Sequence, residues 1–485
     1  MSTYQAPDEK AFVDTLGRDT SEETLRPLAS EAEISRVLRK MDWYILPFVS
    51  LLYLSSFLDR ANIGNAKIAG MSADAHLDGF KYNIIAAVFF VTYAFSEIPS
   101  NIALKLVRPS RWIPSIMVAW GIVMTLMCLC NTYEGLLIAR IFLGLTEGGL
   151  FPGITFYLSL WYRRRDVAGR IAIFVAASTI AGAFGGLLAY AIEMMDGIAG
   201  LHGWQWIFCI EGIATVVIAF ASYFYMQDYP ETAKFLTETE RETVCRMLKD
   251  DCLGLATHYD RKFVWQAMTD YNTYLHMGIY IGLLIPLYAV ALFAPTIVKE
   301  LGYTAANAQL LTVPIFVAGC IATIFIGILS DRYNLRGPFL IGTSATSLIG
   351  FLVSYTQDTP GAGYVGAVLA TMVYPTIALE LAWAGASAGG DVRKGVTLAM
   401  VIGMGNLGGV CSSFTYLSPD RFYIGHFIAM GSLGFSIILS TFAMWNFNRI
   451  NKEKEALCRR EGIDDSRRDE FKEMGSESPL FRYTI

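Results

Sequence analysis

Long apolar runs separated by short polar loops fill the chain from Trp43 onward. Each run is about twenty residues, enough helix for the ~30 Å hydrocarbon core of a bilayer. The pattern predicts spans at 43–67, 83–105, 112–130, 133–158, 168–193 and 206–226, then 274–297, 305–329, 338–356, 362–387, 395–416 and 424–446. These are two sets of six. Between them lies the longest polar stretch, Gln227–Tyr271, where the run TETERETVCRMLKDD and an Asp-Tyr-Pro turn read as a solvated linker rather than a catalytic domain. The expected organisation is a tail (1–42), a six-helix bundle (43–226), a linker (227–273), a second bundle (274–446) and a tail (447–485). The polar first forty residues lack the basic start and short apolar core of a cleaved signal peptide. Helical spacing over Glu33–Met41, with Arg36, Arg39 and Lys40, suits either a short helix on the membrane surface or a disordered tail.

Composition sharpens the class. Hydrophobic residues make up 54% of the 485 and charged residues 17%, with a mean hydropathy of +0.42, which excludes an ordinary soluble protein of this length. The net charge of −5 hides a segregation by loop. Lys105, Arg108 and Arg111 follow the second span, Arg163, Arg164, Arg165 and Arg170 the fourth, Arg332 and Arg336 the eighth, and Arg393 and Lys394 the tenth. The intervening loops hold little beyond Lys81, Lys299 and Arg421. Basic loops stay in the cytoplasm, so the linker and both termini are expected there. The eight cysteines show no CxxC or metal-ligand spacing and read as free thiols.

Two charges inside one span need a reason. Arg140 and Glu147 lie seven residues apart in the fourth span, on one helix face and about 10 Å apart along the axis. Each costs about 2.5–3.5 kcal/mol at bilayer depth even on a lenient scale, and such residues usually face a polar cavity. This points to a transporter with both in its central cavity; the alternative is a buried pair that only fixes helix packing. Span one, starting inside near Asp42, reaches Asp59 and Arg60 after roughly 27 Å, and span four, starting outside near Tyr133, reaches Arg140 after roughly 10 Å. The charges should meet in the outer half, with Glu147 nearer the midplane.

The halves also echo each other. Gly182-Ala-Phe-Gly185-Gly186 in span five and Gly405-Asn-Leu-Gly408-Gly409 in span eleven occupy the same place in each set of six. Small residues at that spacing let helices approach closely, and repeated halves with a site between them are a common transporter plan.

The segment Gly327-Ile-Leu-Ser-Asp331-Arg332-Tyr-Asn-Leu-Arg336 resembles the loop signature of the major facilitator superfamily, in which an acid and arginines latch helix ends on the cytoplasmic side. Its first-half counterpart, Pro99 to Trp112, has no aspartate. That departure points to the anion:cation symporter branch, particularly the fungal allantoate, nicotinate and vitamin permeases. Leu58 to Lys67, Arg140 to Arg165, Gly203 to Gly212 and Pro479 to Ile485 carry the resemblance, which with the span spacing covers nearly the whole chain. One departure is Ser387, where the pattern after Trp383 usually has Asn.

The resemblance implies an all-α membrane protein of twelve transmembrane helices in two pseudo-symmetric bundles. It implies proton-coupled uptake of a small organic anion, such as a carboxylate vitamin or nutrient, by alternating access. Asp59 and Glu147 are then the expected proton carriers. Arg60, with paired guanidinium donors, is the expected carboxylate ligand, and Arg140 would hold the charge of Glu147 or Asp59 between cycles. Asn406, Tyr93 and Tyr374 are further candidates for substrate contact, each tyrosine reading more readily as a buried ring with its hydroxyl on a neighbouring backbone. Asp331, Arg332 and Arg336 are expected at a cytoplasmic gate, where Glu97 and Glu380 would pair with loop arginines. Trp204, Trp206 and Glu211 are expected to anchor the outer end of span six.

No cofactor beyond the proton gradient, no metal and no nucleic-acid partner is expected. A monomer fits best, since two pseudo-repeats already enclose a pathway, and the resemblance implies the plasma membrane. An exporter of the same fold typically carries a proline in the span-five glycine motif, where Ala183 and Phe184 stand here, and a transport-deficient sensor would have a larger cytoplasmic extension than the tail after Asn446. An enzyme would need a nucleophile, metal or cofactor constellation, and neither an HExxH nor a phosphate loop occurs.

Overall fold

The computed structural model describes residues 31–485 except 79, 164, 252–260, 301–304, 357–358, 416–422, 465–466, 468–469 and 472. The described residues form helices and no strand, and 12 of these helical segments are long and apolar enough to cross a membrane. Exposed Phe224, Ile321, Phe325 and Ile438 belong to the apolar surface that lipid covers.

The first span differs from expectation at its start. One helix, Glu31–Ala66, runs from the basic segment into the membrane span. Nothing between Met41 and Trp43 breaks it, and Val37, Leu38 and Met41 are buried, so the segment packs on protein instead of lying on the surface as a separate helix.

The fourth span is two helices, Tyr133–Glu147 and Leu150–Trp161, meeting at Gly148 and Gly149. Thr132 caps the first of them by accepting from Gly135 N at 3.2 Å. Glycine is required at the junction. A Cβ on Gly148 would stand 2.5 Å from the Tyr93 carbonyl oxygen, so the second span, within Lys81–Val107, lies backbone to backbone against the fourth. The tenth span is likewise divided, into Pro360–Ala370 and Val373–Ser387.

The halves meet along two related seams: span two (Lys81–Val107) on span eleven (Asp391–Thr415), and span five (Val167–Glu193) on span eight (Ala305–Tyr333). One glycine of each paired cluster faces its seam. A Cβ on Gly182 would come 3.1 Å from the Phe316 ring, and one on Gly409 would come 2.6 Å from the Phe90 ring. Span five thus receives an aromatic from span eight as span eleven receives one from span two, and Gly182 and Gly409 serve close packing.

The linker is anchored. Phe235 stacks on Tyr44 of the first span at 4.2 Å, and the helix Glu238–Asp251 is tied to that span by Lys40 and Glu240 at 2.6 Å. The stretch Pro479–Ile485 folds back on the second bundle, where Tyr483 stacks on Phe447 at 4.7 Å and Trp383 Nε1 donates to the Thr484 carbonyl at 2.8 Å.

Candidate functional site

The first span puts Ser56 and Arg60 on one face, one helical turn apart, and both reach Glu147 at the end of the Tyr133–Glu147 helix. Arg60 Nη2 lies 2.8 Å from Glu147 Oε1, which also accepts from Ser56 Oγ at 2.7 Å. Arg60 Nη1 donates to the Tyr288 hydroxyl at 3.0 Å, Tyr288 donates to Asn406 Oδ1 at 2.6 Å, and Asn406 Nδ2 donates to Glu97 Oε1 at 2.8 Å. All these groups are buried or nearly so. Tyr288 and Asn406 belong to the second half and the others to the first, so one hydrogen-bonded chain crosses between the halves. Its residues come from spans one, four, seven, eleven and two.

Arg140 stands beside this chain without joining it. Its side chain is 1% exposed, and its Nε and Nη2 have no hydrogen-bond partner among the described residues. Both guanidinium groups approach the Phe89 ring, that of Arg60 at 5.3 Å and that of Arg140 at 5.8 Å. Arg60 also faces the ring of Tyr93 at 4.7 Å, and the Tyr93 hydroxyl has no hydrogen-bond partner among the described residues.

Glu147 is therefore paired with Arg60, whereas Arg140 was expected to hold its charge. Two helical turns put Arg140 about 10 Å along the axis from Glu147, too far for contact within one helix, and the neighbouring span supplies the partner. Asp59 is not held by Arg140 either. Its Oδ2 accepts from Trp120 Nε1 and Thr215 Oγ1, each at 2.9 Å, inside the first bundle. Glu211 is next to this cluster, accepting from Asn62 at 2.6 Å, and is 5% exposed, so it packs within the bundle. Trp204, close by in the same span, donates to Asp74 at 2.8 Å.

Glu97 and Glu380 do not meet loop arginines. Glu97 bonds Asn406, and Glu380 lies 2.7 Å from His276 Nδ1 in span seven, both carboxylates being fully buried. Tyr374 is also fully buried, edge-on to Phe316, with its hydroxyl unpartnered among the described residues and no part of the hydrogen-bonded chain. Asp331 bridges the halves on the linker side. It accepts from the backbone N–H groups of Ala168 and Gly169, the free first turn of span five, and pairs with Arg336 at 2.7 Å. Arg336 N–H donates to the Ile485 carbonyl at 2.9 Å, while Arg332 is exposed.

Residues 49–413 match the family model of the Major Facilitator Superfamily. The chain belongs to that superfamily. Among relatives of this major facilitator, an uncharacterized transporter of Schizosaccharomyces pombe is 33% identical over 96% of this chain and 97% of its own. The high-affinity nicotinic acid transporter of Saccharomyces cerevisiae is 31% identical over 90% and 82% respectively. In fold, the proton:xylose symporter XylE superposes with a TM-score of 0.62 at 14% identity, covering 84% of this chain and 96% of that one. The human organic anion transporter MFSD10 gives 0.61 at 10%, covering 83% and 99%. The protein is a multi-pass integral membrane transporter of this superfamily, and its relatives are transporters rather than enzymes.

Sequence reasoning missed Tyr288, His276 and Ser56 in this major facilitator. Nothing in the apolar run around Tyr288 singles that hydroxyl out, and its role emerges only when span seven is set against spans one and eleven.

Proposed function

We propose that this major facilitator takes up a small organic anion together with protons, as a member of the anion:cation symporter branch. The observation that carries the reading is the pairing of Arg60 with Glu147 beside the buried Arg140, whose Nε and Nη2 lack partners among the described residues. A substrate carboxylate is the kind of group a guanidinium recognises through paired donors.

The geometry gives coupling a simple form. While Glu147 is ionised it holds Arg60, so an arriving carboxylate competes with it for the same donors. Protonation neutralises Glu147, loosens its hold and frees Arg60 to join Arg140 on the anion. The anion therefore binds with a proton. On the other side, loss of the proton restores the Arg60 pair and displaces the anion. Asp59, bonded to neutral donors only, is the second proton carrier, and the bridge through Tyr288 and Asn406 reports the state of Arg60 to the second half. Asp331 and Arg336 close the linker side, which we take as cytoplasmic together with both termini, in the plasma membrane and as a monomer. The name of the yeast nicotinic acid transporter supports a carboxylate vitamin or nutrient as cargo.

The test is uptake of labelled nicotinate, pantothenate, biotin and allantoate into expressing cells at about pH 5 and about pH 7.5, with Glu147→Gln alongside. Uptake of one acid that rises at low pH in the parent, and loses that dependence in Glu147→Gln, supports the proposal. With the protein at the cell surface, no uptake at either pH rejects it and favours export.

A further inference from the structure

Glu97 takes no part in the exchange among Arg60, Glu147 and an anion, yet it ends the hydrogen-bonded chain that begins at Glu147. Its carboxyl group is fully buried. Oε1 accepts from Asn406 Nδ2 at 2.8 Å, and Oε2 has no hydrogen-bond partner among the described residues. Gly403 makes room for it: a Cβ there would stand 2.6 Å from Oε2. No lysine, arginine or histidine forms an ion pair with Glu97 among the described residues. The titratable groups facing it are Tyr93 on its own span, Arg60 from span one, and Tyr280 and Tyr288 from span seven. Glu147 and Arg140 on span four belong to the same region, and span eleven presents uncharged Gly403 and Asn406. Arg60, the nearest cation, is committed to Glu147.

A buried carboxylate with one amide donor and no cation is far more costly than the neutral acid. The orientation of Asn406 is fixed, because its Nδ2 also donates to the Ile402 carbonyl at 3.1 Å and its Oδ1 receives Tyr288. Asn406 thus offers Glu97 a donor, and the acid proton belongs on Oε2. When spans two and eleven separate, water reaches that oxygen, and ionisation becomes affordable only then.

We propose that Glu97 is a proton-binding site of the transport cycle, protonated while Asn406 is seated on it and releasing its proton to water when spans two and eleven part. The O–H bond of the acid breaks and water takes the proton, and a proton taken from water re-forms that bond before the halves close again. This rests on the proton-coupled reading above, and two readouts separate the two.

The first is infrared pH titration of the purified full chain in lipid nanodiscs. The expected result is a carboxylic-acid C=O band at neutral pH that is missing in Glu97→Gln and shifted in Asn406→Leu, which keeps the acid and removes its donor. Bands unchanged by Glu97→Gln overturn the proposal. The second uses labelled nicotinate in proteoliposomes. Accumulation driven by a pH gradient is expected to fall by about tenfold or more in Glu97→Gln, well beyond the fall in exchange at equal pH, because exchange needs no net proton release. Equal losses in both, or none, contradict it. Absence of nicotinate transport by the parent counts against the substrate reading alone, and the infrared titration then decides for Glu97.

Discussion

Arg60 and Glu147, 87 residues apart in sequence, are joined at 2.8 Å with both side chains almost wholly buried. Breaking such a pair from one side leaves a lone buried charge, at a cost of about 3–5 kcal/mol, whereas removing both charges costs much less. Glu147→Gln and Arg60→Gln are each expected to lower the thermal midpoint of the purified protein, and the double variant to recover most of the loss without recovering transport. A double variant as unstable as the sum of the singles contradicts the pairing.

Tyr288 is the hinge of the bridge between halves. Tyr288→Phe keeps the ring and removes the hydroxyl, leaving Asn406 Oδ1 buried without its donor at about 1–3 kcal/mol. The expected outcome is a destabilised protein with slowed transport at every substrate concentration. Unchanged stability and rate would show that the bridge carries nothing.

Gly148 holds spans two and four at backbone contact. Gly148→Val forces them apart and is expected to destabilise by about 1–3 kcal/mol, as overpacking does, measured by thermal unfolding in detergent. Gly186→Ala, where nothing lies within 4 Å of the added Cβ, is the control expected to leave the midpoint unchanged.

Asp331 caps span five of the opposite half while bound to Arg336, so Asp331→Asn weakens the seam on the linker side. In a background without the native cysteines, Ser159→Cys reports on this seam, since the Ser159 carbonyl accepts from Lys394 of the other half at 3.4 Å. Labelling at Cys in place of Ser159 is expected to speed severalfold when Asp331→Asn is added. An unchanged rate would deny Asp331 a part in closure.

On the linker, the hydrogen bond from Lys40 holds the Glu240 carboxyl below its ordinary value of 4.5. A lowered folded-state value stabilises above the ordinary value and is lost as pH falls through the lowered one. The pair is exposed, so the contribution is below about 1 kcal/mol. Hydrogen exchange in Glu238–Asp251 is expected to quicken below about pH 4 in the parent and to be less pH-dependent in Lys40→Met.

The twelve spans were legible because hydrophobic length is a property of sequence alone. The seam glycines were legible too, since their matched positions in the two halves need no coordinates. Partners were another matter. Arg140 and Glu147 share a helix face and invite a pair, but the register of span one decides that Arg60 reaches Glu147. Glu97 and Glu380 were expected beside loop arginines because they lie toward one end of their spans. Helix rotation instead turns one to Asn406 and the other to His276, and no periodicity in these all-round apolar helices fixes rotation.

Competition between a substrate carboxylate and Glu147 for Arg60 ties anion binding to protonation, and proton stoichiometry on binding measures it. Labelled acids from the uptake panel are added to purified protein in weakly buffered solution near neutral pH while an indicator dye follows free protons. Binding of the recognised acid is expected to take up protons from solution, and Glu147→Gln to bind it with markedly less proton uptake. Binding without proton uptake, or uptake undiminished in Glu147→Gln, would contradict it.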